Sequence, residues 1–195
     1  MTNLIGSFVV ATIMVSSGSP ASSKGAIPLY DAFNSLCVAT NTQPDLIEKA
    51  IKVSPFKITQ RGSASTAKPI PMSTTLWDMA YEGHKMTLAI GESQEPLGTT
   101  MVTNTQNCTI TSFSNEDASI DAIRRWVGLP GNSNKSPGVT LYEFQMQGSS
   151  RISLEGGDAE KIAKTEGRAW HIAIINGQNM GSVMLTRYLT PRLAR

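Results

Sequence analysis

Two histidines, His84 and His171, are the side chains of this sequence best suited to general acid–base chemistry, because imidazole titrates near neutral pH. His84 lies in the polar segment 81–85, where Glu82 could orient the ring and where a solvated turn is the competing interpretation. His171 lies in an alternating run that places Trp170 and Ile172 on one face of a strand and His171 on the other. Both histidines are therefore candidate site residues, although an exposed turn and an exposed sheet face explain them without any reaction.

A serine–lysine pair, Ser65 and Lys68, matches the S-x-x-K pattern in which a lysine meets a serine nucleophile. That pattern opens a helix in the enzymes that use it, whereas here Pro69 and Pro71 follow at once and prevent a helix from continuing. The S-D-N and K-T-G patterns that accompany it are absent from the sequence, so a polar loop is favoured. A hydrolase that combines either histidine with a hydroxyl from residues 59–75 stays open as an alternative.

No group of residues in the sequence predicts a metal site or a bound cofactor. Two histidines are too few for a histidine-rich centre. The carboxylates Glu155, Asp158, Glu160 and Glu166 surround a glycine-rich connector, but calcium needs a shell of converging oxygens and Lys161 lies among them. We interpret this connector as a solvated loop.

Cys37 and Cys108 are the two cysteines of the sequence. In an oxidising compartment two cysteines usually form one disulfide. The bridge would close a loop of about 70 residues, for which the chain-entropy model gives about 4 kcal/mol of stabilisation. Two buried free thiols are the alternative, and catalysis by either is not favoured because neither has a base nearby in the sequence.

The N-terminal segment predicts export. Residues 1–21 contain no charged side chain, and 4–15 form a mostly apolar stretch. That stretch is too short for a transmembrane helix and typical of a secretory signal, with cleavage expected near 19–21. An uncleaved anchor and a folded strand are alternatives, because residues 1–3 lack Lys and Arg. We therefore expect a signal peptide at 1–21, a flexible leader at 22–27 and one domain at 28–195, in a periplasmic or secreted protein.

Charge and composition limit the classes of partner. The 17 basic and 15 acidic residues give a formal net charge of +2, which is too small for an extended nucleic-acid or anionic-membrane footprint. The arginines from Arg187 to Arg195 permit a weak contact with an anion. No integral membrane span is expected in the mature chain. The sequence names no ligand or partner, and an envelope protein is one candidate.

Hydrophobic spacing predicts three main helices. One face of the first carries Leu29, Phe33, Leu36, Cys37 and Thr40, so Cys37 should point to the core. The second begins at Thr42 or Gln43 and ends before Pro55. The third opens on the capping-box pattern of 114–117 and ends at Gly128. A short helix is also expected around 159–164.

Alternation predicts strands at 86–91, 139–146, 151–154, 169–175 and 182–189. Residues 99–113 fit two strands with a turn near 104–107, residues 59–75 a surface loop, and residues 76–81 a helical turn. Strands that follow strands favour antiparallel pairing. The predicted fold is α+β: an antiparallel sheet of about five to six strands, with two N-terminal helices and one mid-chain helix packed on one face.

Residues 33–40 of the first predicted helix contain the pattern F-x-x-L-C-x-x-T. In this it resembles a group of short exported bacterial proteins that have a signal peptide and one later cysteine, here Cys108. The resemblance covers part of the chain and implies export and a disulfide. It implies no activity and assigns no functional residue.

These features favour a small exported envelope domain that binds or supports a partner without catalysis. It would bind through the open face of the sheet or through residues 59–75. The alternatives are an unfamiliar periplasmic hydrolase, and an inhibitor, immunity or assembly protein.

Overall fold

The computed structural model describes residues 28–66, 72–97, 99–131, 138–154 and 159–193, so the predicted signal peptide 1–21 and leader 22–27 lie outside the described residues. The helices are α1 (Pro28–Ala32), which continues into a π-helical turn (Phe33–Val38), α2 (Pro44–Val53), α3 (Asp117–Val127) and α4 (Ala159–Lys164). The strands are β1 (Lys57–Thr66), β2 (Met72–Tyr81), β3 (His84–Leu97), β4 (Met101–Ser112), β5 (Val139–Gln147), β6 (Ser150–Ser153), β7 (Ala169–Gly177), β8 (Met180–Tyr188) and β9 (Arg192–Leu193).

The described strands form one antiparallel sheet in the order β1-β2-β3-β4-β8-β7-β5-β6, with β9 paired to β4. The predicted α+β class and antiparallel pairing are confirmed, but the predicted size of five to six strands is wrong, because the sheet has nine. Most of the difference lies in residues 59–75. The part of this segment that is described belongs to β1 and β2, whereas a loop was predicted, and residues 76–81 complete β2 instead of forming a helical turn.

Strand β4 runs without interruption through residues 104–107, where a turn was predicted. Two asparagines stay in the strand because their side chains bond to neighbouring strands. Gln94 Nε2 donates to Asn104 Oδ1 at 3.4 Å, and Thr186 Oγ1 donates to Asn107 Oδ1 at 2.9 Å. Cross-strand bonds of this kind outweigh the turn preference of asparagine.

The main core lies between the helices α1 to α3 and one face of the sheet. We call this face of the sheet the helix-bearing face. Its central row is formed by Leu88, Ile110, Val183 and Ile174, which face one another across adjacent strands and are all buried. The predicted face of the first helix is buried against it, as expected: Leu29, Phe33, Leu36, Cys37 and Thr40. Burial of these apolar surfaces is the main force that holds the helices on the sheet.

Among the residues that the structure describes, the opposite face carries a helix at one corner. There Ile162 of α4, in the short helix predicted at 159–164, packs with Leu97, Leu154 and Ala169. Within the described ranges, no helix is long and apolar enough to cross a membrane.

A disulfide joins Cys37 in the π-helical turn to Cys108 in β4, with 5.5 Å between their Cα atoms. Both cysteines are fully buried. The predicted bridge between the first helix and the sheet is confirmed, and it fixes the helix layer above the β4–β8 pair.

Candidate functional site

His84 begins β3, directly after the turn formed by Glu82 and Gly83. The sequence suggested Glu82 as its partner, but the structure places a different carboxylate beside it. Nδ1 of His84 lies 3.5 Å from Glu116 Oε1 and 3.3 Å from Ser114 Oγ. The His84 side chain is about one third exposed, whereas Glu116 is buried.

Glu116 precedes α3 and is surrounded by serine hydroxyls. Ser112 Oγ donates to Oε1 at 2.7 Å, Ser114 Oγ donates to the same oxygen at 3.0 Å, and Ser119 Oγ donates to Oε2 at 2.7 Å. A buried carboxylate needs such donors, because an unpaired charge away from water is strongly unfavourable. The cluster ties the end of β4 to the beginning of α3, and no sequence pattern indicated it. The capping box predicted at 114–117 is wrong, because the N-cap of α3 is Glu116 and its side chain forms no cap bond.

This arrangement does not activate a serine nucleophile. An activated serine donates its proton to a histidine nitrogen, and the histidine is oriented by a carboxylate through its other nitrogen. Here Ser114 and Glu116 both lie at Nδ1 of His84, and the Ser114 hydroxyl is within bonding distance of the carboxylate. We interpret the cluster as a structural junction beside a shallow cavity.

His171 lies on the face of the sheet opposite the main core, as the alternation predicted. It belongs to a polar row that crosses adjacent strands: Asn107, Thr186, His171 and Glu143. His171 Nδ1 lies 3.5 Å from Glu143 Oε1. Burial, with smaller contributions from the charges of Glu95 and Glu143, raises the pKa of nearby Tyr188 to about 12.

The structure does not bring either histidine to the hydroxyls of residues 59–75. Five strand spacings separate β1 from β7, which is about 24 Å at about 4.8 Å per strand. His84 faces Tyr81, whereas Ser73 lies at the other end of β2, about 26 Å away at about 3.3 Å per residue. The S-x-x-K serine, Ser65, lies near the end of β1, and Lys68 lies outside the described residues.

A cavity of about 420 Å³ lies at the end of the sheet where β1 to β4 extend past the helices, and we call it the hairpin-end cavity. Hydroxyls, amides, a carboxylate and a guanidinium line it, from Ser65, Ser73, Glu92, Gln94, Asn104 and Arg192, with Met72 and Leu189 as apolar contacts. Strand length creates this site, because the 14-residue β3 and the 12-residue β4 reach beyond the helix layer.

One polar row leads from this cavity into the protein on the helix-bearing face. Its members face one another across five successive strands: Ser65, Ser73, Glu92, Gln106 and Arg187. Gln106 Nε2 donates to Glu92 Oε1 at 2.9 Å. Trp170 continues the row on β7, and the Arg187 guanidinium lies 5.7 Å from the centre of its ring.

Sequence reasoning identified neither Gln106 nor Arg187 as a site residue. In the sequence analysis, Arg187 appeared only as part of a basic C-terminal stretch. Gln106 lay in a segment that was predicted to form a turn. The two residues meet because β4 pairs with β8, and no short sequence pattern reports such a long-range pairing.

Within the described ranges, no three His, Cys, Asp or Glu side chains converge as a metal site would require. Of the acidic connector, Glu155 and Asp158 lie outside those ranges.

No family model, curated protein or solved structure matches this chain, so the assignment of function rests on the site itself.

Proposed function

We propose that this chain is an exported, disulfide-stabilised domain that binds a small polar ligand in the hairpin-end cavity and performs no chemistry on it. The observation that carries this proposal is the lining of the cavity, in which a carboxylate, a guanidinium, amides and hydroxyls surround about 420 Å³ at the end of the sheet away from the β2–β3 turn. Cavities of about 540 and 420 Å³ lie at Asn176 and at His84, so the lining and not the volume distinguishes this one.

The lining supports recognition of a polar molecule. Glu92 and Arg192 offer opposite charges, while Gln94 and Asn104 offer both donors and acceptors. Ser65 and Ser73 add hydroxyls on the side of the first hairpin. These side chains project from strands, and sites on strands hold their geometry better than sites on loops.

Catalysis receives less support than binding. His84 lies at the opposite end of β3 from this cavity, and the serines beside it donate to Glu116; His171 is not among the lining residues. The cavity lining contains hydroxyls, but the described residues place no histidine beside them.

Export is supported by the apolar, uncharged segment within residues 1–21 and by the disulfide, since such bridges persist in oxidising compartments. An exported protein should lose the predicted signal peptide. Its intact mass, taken from periplasmic material, should match a chain cut near residues 19–21, with both cysteines resistant to alkylation until they are reduced.

Binding is tested by comparing the native and denatured masses of the protein purified gently from the periplasm. A bound small molecule adds a constant increment to the native mass alone. The variant Ser73→Trp should fill the cavity and abolish the increment. Thr59→Trp is the matched control, because Thr59 is exposed on β1 and pairs with Asp78, away from the cavity.

An increment that survives in Ser73→Trp would refute this location for the site. Equal native and denatured masses for the wild-type protein, together with no binding of any small polar probe at the cavity, would refute the proposal itself.

A further inference from the structure

Gln106 and Arg187 each hold one buried polar atom without a hydrogen-bond partner among the described residues: Oε1 of Gln106 and Nε of Arg187. One is an acceptor and the other carries an N–H donor. They lie on residues that face each other directly across β4 and β8. A complementary but unjoined pair of this kind marks a place where a third group can satisfy both atoms.

Leaving a buried donor or acceptor unsatisfied is unfavourable, because the group gives up its hydrogen bonds to water and gains none in the fold. Such atoms are uncommon in folded proteins, and each one calls for an explanation. Two further buried atoms lack a partner, Arg151 Nε and Asn176 Oδ1, but these lie on β6 and β7 and have no unpartnered neighbour opposite. The Gln106–Arg187 pair therefore differs from the other two in offering a matched donor and acceptor.

The pair lies one row inward from the hairpin-end cavity. Asn104 and Leu189 line that cavity, and their backbones are joined by a hydrogen bond. Asn104 lies two residues before Gln106 and Leu189 two residues after Arg187, so on these antiparallel strands both lie on the cavity side of the pair. Glu92 connects the cavity with the Gln106–Arg187 pair, since it lines the cavity and accepts the hydrogen bond from Gln106 Nε2. Cys108, two residues further along β4 than Gln106, carries the disulfide to the helix layer.

Position and charge select the ligand chemistry. An arginine fork binds a planar carboxylate through two parallel N–H donors, and the Trp170 ring lies beside the guanidinium of Arg187. Arg192 on the cavity wall adds a second positive charge. Gln106 Oε1 then needs an N–H donor close to that carboxylate. A nitrogen that is bonded to the carbon bearing the carboxylate places its N–H close to that carboxylate, so an α-amino carboxylate offers both groups.

We infer that the site binds an α-amino carboxylate unit, with the carboxylate on Arg187 and the adjacent N–H on Gln106. This inference rests on the proposed function, because it names the ligand class of the same cavity. The unit has two sources, a free amino acid and the C-terminal residue of a peptide. Glu92 would also attract the ammonium group of a free amino acid.

The test uses four small probes, titrated against the full folded protein and followed by the indole N–H signal of Trp170 in nuclear magnetic resonance. N-acetyl-L-alanine has both groups and represents a peptide C-terminus, and L-alanine represents a free amino acid. N-acetyl-L-alaninamide lacks the carboxylate, and N-acetyl-L-proline lacks the N–H. The indole signal is assigned with Trp170→Phe.

We expect N-acetyl-L-alanine or L-alanine to bind, and the preferred one of the two identifies the source. The amide and proline probes should each bind about tenfold more weakly, since each loses one charge-assisted or buried hydrogen bond. Gln106→Met and Arg187→Lys should weaken the preferred probe by a similar factor. Arg151→Lys is the matched control, because Arg151 also holds an unpartnered Nε and lies over Trp126, yet should leave binding unchanged.

Equal binding of all four probes would overturn the inference while leaving a small-molecule site in the cavity. The same holds if Arg187→Lys binds like the wild-type protein. If neither alanine probe shifts any signal at the cavity, and the native and denatured masses agree, the proposed function falls as well.

Discussion

Gln106 on β4 and Arg187 on β8 lie directly opposite each other, each with one buried polar atom that meets no partner among the described residues. Arg151 Nε and Asn176 Oδ1 are also buried without a partner among the described residues, so an unsatisfied atom alone does not mark a site. Gln106 and Arg187 differ because their acceptor and donor lie on directly opposed residues, where the proposed ligand would satisfy both.

The first prediction concerns the stability of the unliganded protein. Gln106→Met removes an unsatisfied buried acceptor and keeps a similar volume, but it also removes the exposed bond from Nε2 to Glu92, so the free energy of unfolding should change by less than about 1 kcal/mol. It is measured by urea unfolding of protein freed from any ligand.

Asn107→Leu is the matched control on the next residue of β4. Its Oδ1 accepts from the buried Thr186 hydroxyl, so its loss should cost about 1–3 kcal/mol. If Gln106→Met proves as damaging as Asn107→Leu, then Gln106 serves the fold and not a ligand.

The disulfide should supply a large part of the stability. The bridge joins residues 71 positions apart, and the chain-entropy model gives about 4 kcal/mol for a loop of that size. A domain has about 5–15 kcal/mol in total. The double variant Cys37→Ala/Cys108→Ala should therefore unfold at a much lower urea concentration than the wild-type protein.

The same double variant is the control for effects of reductant that do not act through the disulfide. Dithiothreitol should lower the unfolding midpoint of the wild-type protein towards that of the variant and leave the variant itself unaffected. A wild-type midpoint that does not respond to reductant would show that the bridge contributes little.

Two glycines in strands should respond oppositely to alanine. A Cβ on Gly181 would lie 2.7 Å from Glu116 Cβ and 3.1 Å from Leu29 Cδ2, so Gly181→Ala forces the junction between α3 and β8 apart. A Cβ on Gly62 meets nothing within 4 Å, so Gly62→Ala should be neutral or stabilise by about 0.4–1 kcal/mol.

Thermal unfolding of the two glycine variants decides the matter. Gly181→Ala should melt clearly below the wild-type protein and Gly62→Ala at or above it. Equal melting temperatures for both variants would mean that Glu116 does not pack against β8 as described.

Tyr188 should make the protein sensitive to alkali. Its folded-state pKa of about 12 exceeds the ordinary value of 10.0, because burial and nearby carboxylates disfavour the phenolate. The unfolded chain therefore ionises first, so this contribution to stability is complete below pH 10 and disappears as the pH rises through about 12.

Absorbance titration of the folded protein should show a tyrosine step near pH 12 that Tyr188→Phe removes. An identical titration curve above about pH 11 for the wild-type protein and Tyr188→Phe, apart from the loss of a step near the ordinary pKa of 10.0, would show that Tyr188 is not buried as described.

The features that could be predicted from the sequence are those that bury an apolar face. The first helix carries Phe33, Leu36 and Cys37 on one side, and β7 alternates around His171, so periodicity alone places these residues correctly. The cysteine pair was predicted from its number and the exported context.

The elements that could not be predicted lie where the sheet extends past the helices. Most of the β1 side chains described are exposed, so residues 59–66 carry no apolar alternation to distinguish a strand from a loop. Asn104 and Asn107 look like turn residues until their cross-strand partners are known. The candidate site lies in this same region, because Gln106 meets Arg187 only through the pairing of β4 with β8.

The location of the ligand site is the central claim, and mapping of amide shifts tests it most directly. The full folded protein, labelled with ¹⁵N, is titrated with N-acetyl-L-alanine and every assigned backbone amide is followed. We predict that the largest shifts cluster at Ser73, Asn104, Gln106 and Leu189, with none around His84. Shifts centred on His84, with the cavity amides unmoved, would contradict the account.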